Sequence, residues 1–320
     1  MSQTKPTARR NFLTTFGVAS ATVAALQSAA LRPAAAAAIP AEPLKLRYCL
    51  NTSTINGGEL PIRQQLKIAA DAGYDAVELW VRDIDKYVSE GGKLGDLHKE
   101  IADLGLSVES SIAFGKWIVD NDVERAAGLA QSKRDMETVR AIGGLRIAAP
   151  PVGATNQPGL DLQAAADRYR ALLEVGRECE VLPQIELWGF SKNLSTLAEV
   201  LYIAAAANDA DACILLDVYH MYKGGSDFSN IGLVPGAKMH CLHINDYPDM
   251  PRDQINDKDR VYPGDGIAPL GKILKSLVAG GFSGTLSLEL FNRNYWAQPP
   301  EQVAKTGLEK TRAAVAAALS

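Results

Sequence analysis

The chain has 320 residues, 47% hydrophobic and 22% charged, with 33 basic against 37 acidic residues and a formal net charge of −4. That is enough chain and apolar content to bury the core of one barrel or of two smaller domains. The acidic balance argues against a phosphate-backbone partner, so nucleic acid is not expected.

At the N-terminus, Arg9-Arg10-Asn11-Phe12-Leu13 is a twin-arginine signature, followed by a weakly apolar stretch over 12–26 and small residues over 34–38. Together these predict a cleaved leader of residues 1–38 and a periplasmic or secreted product. The apolar stretch is too short and too rich in Ala, Thr and Ser to be a stable membrane anchor, which needs ~20 strongly apolar residues. Cleavage removes Lys5, Arg9, Arg10 and Arg32 and no acidic residue, leaving 29 basic and 37 acidic residues and a net charge of −8. Residues 39–320 are expected to form one catalytic domain.

Strand-like runs then fall at 45–50, 76–80, 107–113, 145–149, 184–188, 213–218, 240–245 and 285–290. Between them lie amphipathic stretches over 61–72, 95–104, 123–142, 162–179 and 195–207. In 162–179, Ala165, Tyr169, Leu172, Leu173 and Gly176 recur at helical spacing, with Asp167, Arg168 and Arg170 facing elsewhere. Gly73, Gly105 and Gly143-Gly144 each stand between a helix and the next strand, where a left-handed residue ends a helix. Strict strand–helix alternation predicts an α/β fold with a parallel sheet, and eight units in this length favour a closed (β/α)8 barrel over an open sheet. No glycine-rich dinucleotide or phosphate fingerprint follows the first strand.

Four of the runs carry a metal-competent side chain near their ends: Glu186, Asp217, His243 and Glu289. Their spacings of 31, 26 and 46 residues are roughly one strand-plus-helix unit each. On successive strands of a barrel, all four converge on the face that holds barrel active sites. Three carboxylates and one imidazole suit Mn²⁺ or Mg²⁺ better than a thiolate-loving metal. A solitary strand-end Glu is as often a solvated loop residue, so the joint pattern carries the inference.

The longest irregular segment, 246–269, contains Asp259-Arg260-Val261-Tyr262-Pro263-Gly264-Asp265-Gly266, whose turn residues argue for order. A shorter loop over 114–121 brings Phe114 and Trp117 near the expected site. Trp80, Trp117 and Trp188 are candidates for sugar stacking or for plain packing. Glu78 is expected to line the pocket outside the metal shell, His240 to point outward and His98 to lie at the surface. Cys49, Cys179, Cys213 and Cys241 show no paired spacing and read as buried thiols.

These residues resemble the sugar isomerase and epimerase group of xylose isomerase-like TIM barrels. The likeness extends over about residues 44–318. It rests on the Glu186 strand, Asp217-Val218-Tyr219-His220, His243-Ile244-Asn245-Asp246, Arg260 with Pro263-Gly264-Asp265-Gly266, and Glu289. The resemblance implies one divalent ion held by Glu186, Asp217, His243 and Glu289, Mn²⁺ foremost, with Mg²⁺, Co²⁺ or Zn²⁺ compatible. It also implies that His220 and Arg260 hold substrate oxygens, and it is compatible with a homo-oligomer. Endonuclease IV, a related enzyme, needs three zinc ions and many more histidines than His98, His220, His240 and His243. Here Val261 stands where the nuclease pattern wants a histidine.

The expected chemistry removes a proton from carbon beside a carbonyl, with Glu186 and Glu289 as the catalytic carboxylates and a bound divalent ion stabilising the enediolate. The leading expectation is isomerisation or epimerisation of a free sugar or keto-sugar. A dehydratase or lyase acting by β-elimination on a 3-keto-sugar, keto-glycoside or inosose is the rival. An exported, non-catalytic sugar-binding barrel is the reading outside enzymology. Arg260 paired only with Asp257 or Asp259 would be the structural alternative to its substrate role.

Overall fold

A computed structural model describes residues 46–55 and 60–320, so the expected leader lies outside the described residues. Eight parallel strands run in chain order: β1 Arg47–Asn51, β2 Ala76–Trp80, β3 Ser107–Ile112, β4 Arg146–Ala149, β5 Leu182–Glu186, β6 Ile214–Asp217, β7 Cys241–Ile244 and β8 Thr285–Leu288. Hydrogen-bonded neighbours follow the order β3-β2-β1-β8-β7-β6-β5-β4. At the seam between the two end strands Arg146 of β4 reaches Glu109 of β3 at 2.7 Å, and Gln184 of the next strand, β5, donates to Ser110 of β3 at 3.3 Å. The result is a nearly closed TIM barrel.

Ten helices of the described residues flank or cap it. They are α1 Ile62–Ala72, α2 Val81–Ser89, α3 Leu94–Asp103, α4 Asp122–Ala141, α5 Leu162–Cys179, α6 Leu197–Ala206, α7 Val218–Gly224, α8 Leu270–Ala279, α9 Arg293–Trp296 and α10 Pro300–Leu319. None is long and apolar enough to cross a membrane. The predicted stripe of α5 is buried as expected, at Ala165, Tyr169, Leu172, Leu173 and Gly176. Asp161 starts this helix by accepting from the backbone N–H groups of Gln163 and Ala164. Tyr169 ties it to the sheet, its hydroxyl donating to the Pro183 carbonyl at 2.9 Å. Gly73, at φ +90°, ends α1 in the left-handed conformation that the sequence position implies.

Alternation along each strand separates two interiors. Val77, Leu79, Ile185, Leu216, Leu242, Ile244, Leu286 and Leu288 belong to the large buried clusters shared with the helices. Trp80, Ile112, Ala148, Leu215 and Cys241 form a separate small cluster inside the barrel. Buried polar residues, among them Asn51, Glu78, Glu186, Asp217 and His243, lie on the same strands, and they build the site.

Two strands end two residues earlier than the sequence pattern suggests. β5 begins at Leu182 and stops at Glu186, so Leu187 and Trp188 enter the following loop. Pro183 is tolerated within it because the β5–β6 ladder begins only at Ile185, opposite Ile214. β8 stops at Leu288, which leaves Glu289 just beyond the ladder. All four cysteines are buried and unpaired.

Candidate metal and substrate site

His243 forms the centre of the floor and is fully buried. Its Nδ1 lies 3.3 Å from Glu289 Oε2, 3.7 Å from Asp217 Oδ2 and 3.8 Å from Glu186 Oε1. Its Nε2 lies 2.9 Å from Glu78 Oε2, on the opposite side of the ring. Among the described residues, neither ring nitrogen has a partner that meets full hydrogen-bond geometry. Burial alone would pull its pKa down, but Glu289 and Glu78 on its two sides carry it well above the usual value.

The sequence explains how these groups meet. Asp217 closes β6 and caps α7: its Oδ1 accepts from the His220 backbone N–H at 2.8 Å, while Oδ2 faces the site. Asp217 pairs with His243 in the β6–β7 register, so the two share one level of the barrel. Asn245 donates to Asp217 Oδ2 at 3.1 Å and holds that carboxylate from the side. Burial pushes Glu186 up to about 8 against the attraction of His243, and repulsion from Glu289, Asp217 and Glu78 adds to the rise. Burial likewise pushes Glu289 upward, yet His243 and Arg260 bring it below the ordinary carboxylate range.

Arg260 is 1% exposed. Its Nη1 donates to Asp217 Oδ2 and to Glu289 Oε2, both at 2.8 Å, and its Nη2 donates to Asp257 at 2.6 Å. The pairing with Asp257 expected as the structural alternative is present, together with two site carboxylates. The guanidinium also stands 3.1 Å from His220 Nε2. Arginine only donates, so Nε2 must be the acceptor and the His220 proton sits on Nδ1. Burial pushes His220 down to about 4, so the ring is neutral. Its Nδ1 is buried with no hydrogen-bond partner among the described residues.

Above the floor lies a cavity of about 310 Å³ lined by Glu186, His220, Arg260 and Glu289 together with an aromatic wall. Ring contacts run unbroken from Phe291 to Trp80 at 6.1 Å, Phe114 at 5.5 Å, Trp188 at 6.2 Å and Phe190 at 5.1 Å. Trp80 and Trp188 are therefore part of the site. Trp117 is not: it is 1% exposed, donates to the Pro150 carbonyl and packs on Tyr169. His98 is exposed, and His240 lies at the opposite mouth of the barrel in a cleft with Arg47 and Arg146.

Loop 246–269 is ordered around Asp246, which pairs with Val261 in an antiparallel bridge. Its carboxylate accepts from the backbone N–H groups of Tyr247, Gly264 and Ala268. At Gly266 a side chain would collide with the Tyr247 carbonyl and the Asp246 carboxylate. This folding of the loop carries Arg260 into the site.

Of the six sequence-predicted residues, Glu186, His220, Arg260 and Glu289 line the cavity, while Asp217 and His243 lie fully buried in its floor. The sequence reading assigned no role to Asn51 or Asn245, offered Asp257 only as a structural partner of Arg260, and left the placement of Glu78 open. Asn245 and Asp257 had a signal, since each lies within three residues of a predicted site residue. Asn51 ends β1, where the same strand-end rule would have found it, whereas Glu78 lies in the middle of β2 and carries no such signal.

The donor set fits a single divalent cation. A buried imidazole nitrogen without a partner faces three buried carboxylates, and suitable atoms of Asp217, His243 and Glu289 lie within 4.8 Å of one another. Such a concentration of negative charge away from water calls for a cation.

A model of the family described as the xylose isomerase-like TIM barrel matches residues 66–314. An inosose isomerase of Bacillus velezensis is 25% identical over 279 residues, covering 84% of this chain and 97% of that protein. A 3-dehydroshikimate dehydratase of Pseudomonas aeruginosa is 27% identical over 271 residues, covering 80% of this chain and 41% of that protein. Among solved structures, the IolI protein with a bound zinc atom superposes with a TM-score of 0.80 at 23% identity, over 86% of this chain and 100% of that one.

Proposed function

We propose, on the premise that the chain belongs to the family of xylose isomerase-like TIM barrels, that it is a metal-dependent sugar isomerase or epimerase. The observation that carries this reading is the turning of His243 Nδ1 and the Asp217, Glu186 and Glu289 carboxylates toward one point on the cavity floor. These four residues would hold one divalent ion, and their mainly oxygen donors favour Mn²⁺, with Mg²⁺, Co²⁺ and Zn²⁺ compatible. A bound ion supplies Lewis-acid stabilisation of negative charge on the substrate oxygen as the proton leaves carbon.

The rest is the work of the chain's own groups. Glu186 and Glu289 both line the cavity, from β5 and from just beyond β8. One takes the proton from the carbon beside the carbonyl, and the other returns it on the opposite face for epimerisation. Isomerisation needs one carboxylate to move the proton between neighbouring carbons. The unpartnered Nδ1–H of His220 donates to a substrate oxygen, and Arg260 offsets the negative charge that develops there. The aromatic wall stacks on the C–H face of a sugar and keeps water out.

A second reading uses the same proton abstraction but expels a β-leaving group, making the protein a dehydratase or lyase on a keto-sugar, keto-glycoside or inosose. The likeness to a 3-dehydroshikimate dehydratase over 80% of this chain supports it. Export by the twin-arginine route is part of the proposal, supported by Arg9-Arg10-Asn11-Phe12-Leu13, and it favours an unphosphorylated substrate.

The test is incubation of the Mn²⁺-loaded protein with ketoses, inososes and keto-glycosides in D₂O. Deuterium in an isomer or epimer of the same skeleton supports the leading reading. An α,β-unsaturated ketone supports elimination. Absence of exchange with every compound refutes both and leaves a sugar-binding barrel.

A further inference from the structure

Two donor clusters meet at His243. On the Nε2 side stand Glu78 and Cys241; on the Nδ1 side stand Asp217 and Glu289, with Glu186 near them. The Nδ1 cluster reaches the cavity through Glu186 and Glu289. The Nε2 cluster is sealed, since Glu78 and Cys241 are both fully buried. Glu78 Oε2 is also already engaged, accepting from Ser287 Oγ at 2.7 Å and from Asn51 Nδ2 at 3.0 Å. A cation entering from solvent therefore meets Nδ1.

An imidazole that offers Nδ1 to a cation must keep its proton on Nε2, and the acceptor of that proton fixes the ring. We infer that Glu78 is this acceptor: it holds the Nε2 proton of His243 and so directs Nδ1 toward Asp217, Glu186 and Glu289. The inference rests on the proposed metal site. The separation of 2.9 Å is already a hydrogen-bond length, and it is the angle that falls short of full hydrogen-bond geometry.

Glu78 is itself held. Asn51 Nδ2 donates to both Glu78 Oε2 and Glu289 Oε1, each at 3.0 Å. The amide cannot flip without loss, because its Oδ1 accepts from Trp80 Nε1 and from the Ser53 backbone N–H, also at 3.0 Å each. Asn51 thus joins the orientation of His243 to that of Glu289, two of the four proposed ligands. Glu78 and Asn51 are positioning residues, because they act on the cation only through others.

The experiment titrates Mn²⁺ into metal-free wild type, Glu78→Gln and Glu78→Leu, with circular dichroism and melting in EDTA as checks on folding. Partners of this kind are worth about 10–100-fold in metal affinity. Glu78→Gln should fall near the lower end and Glu78→Leu near the upper. A purely structural Glu78 would move the melting temperature and leave the affinity alone, so folded variants that bind within twofold of wild type overturn the inference. Should neither variant fold, ¹⁵N NMR of Zn²⁺-loaded wild type decides: a proton on His243 Nε2 supports the inference, and one on Nδ1 overturns it. Wild type that binds no metal overturns the proposed function as well, whereas metal-binding wild type with unaffected variants overturns this inference alone.

Discussion

Replacing Arg260 with Met removes the one guanidinium among Asp217, Glu289 and Asp257. The three contacts do not weigh equally. Asp257 is 43% exposed in its side chain, so that pair is screened and adds at most about 1 kcal/mol. Asp217 and Glu289 are 0% and 5% exposed, and each lies 2.8 Å from Arg260 Nη1. Deleting one partner of a buried pair costs about 3–5 kcal/mol, because the charge left behind is neither solvated nor neutralised. The metal-free variant should therefore lose about 3–5 kcal/mol, or roughly 6–20 °C of melting temperature for a domain of this size. A bound cation neutralises the same two carboxylates, so Mn²⁺ should stabilise Arg260→Met more than wild type and narrow the gap. The assay is urea denaturation of both proteins in EDTA and in saturating Mn²⁺. A variant within about 1 kcal/mol of wild type in EDTA, the cost expected of an exposed pair, would refute the reasoning. So would a gap that Mn²⁺ leaves unchanged.

Three further outcomes are expected. Glu186 titrates near 8 in the metal-free protein, above the carboxyl value of an unfolded chain. The folded state then holds the extra proton between those values, so stability in EDTA should fall as pH rises from about 4.5 to 8. Mn²⁺ affinity should rise over the same window because binding displaces that proton, and melting and titration curves that are flat with pH would contradict this. His220→Phe should lower turnover about 10²–10³-fold through loss of the Nδ1–H donor, with Mn²⁺ affinity nearly unchanged; a fall in affinity equal to the fall in rate would show a different role. Trp117→Ala should cost about 3–5 kcal/mol of stability and spare metal affinity, whereas Trp188→Ala should raise the KM for sugar with little loss of stability.

The barrel was legible because its strands and helices differ in period and alternate without interruption. Tyr169, Leu172 and Leu173 mark a helix by spacing alone, and they are buried where that spacing puts them. Glu186, Asp217, His243 and Glu289 were legible because a charged or imidazole side chain near the end of an apolar run is unusual. Pattern alone did not settle strand ends. Leu187 and Trp188 extend the apolar run of β5, yet the run leaves the sheet at Glu186 and its aromatic ring joins the cavity wall. Glu78 was visible as a strand residue, but its place at His243 Nε2 depends on inward-facing positions far apart in sequence. Arg260 has pairing partners in its own loop, Asp257 and Asp259, and only folding of the loop around Asp246 reveals that it also reaches Asp217 and Glu289.

One metal site built by Glu186, Asp217, His243 and Glu289 is the proposal on which the chemistry rests. Its most direct test is Mn²⁺ titration and metal analysis of the purified protein, comparing wild type with His243→Ala and Glu289→Gln. Wild type should bind about one ion per chain, with binding abolished or greatly weakened in folded variants. Wild type that takes up no divalent ion, or folded variants that bind as wild type does, would contradict it.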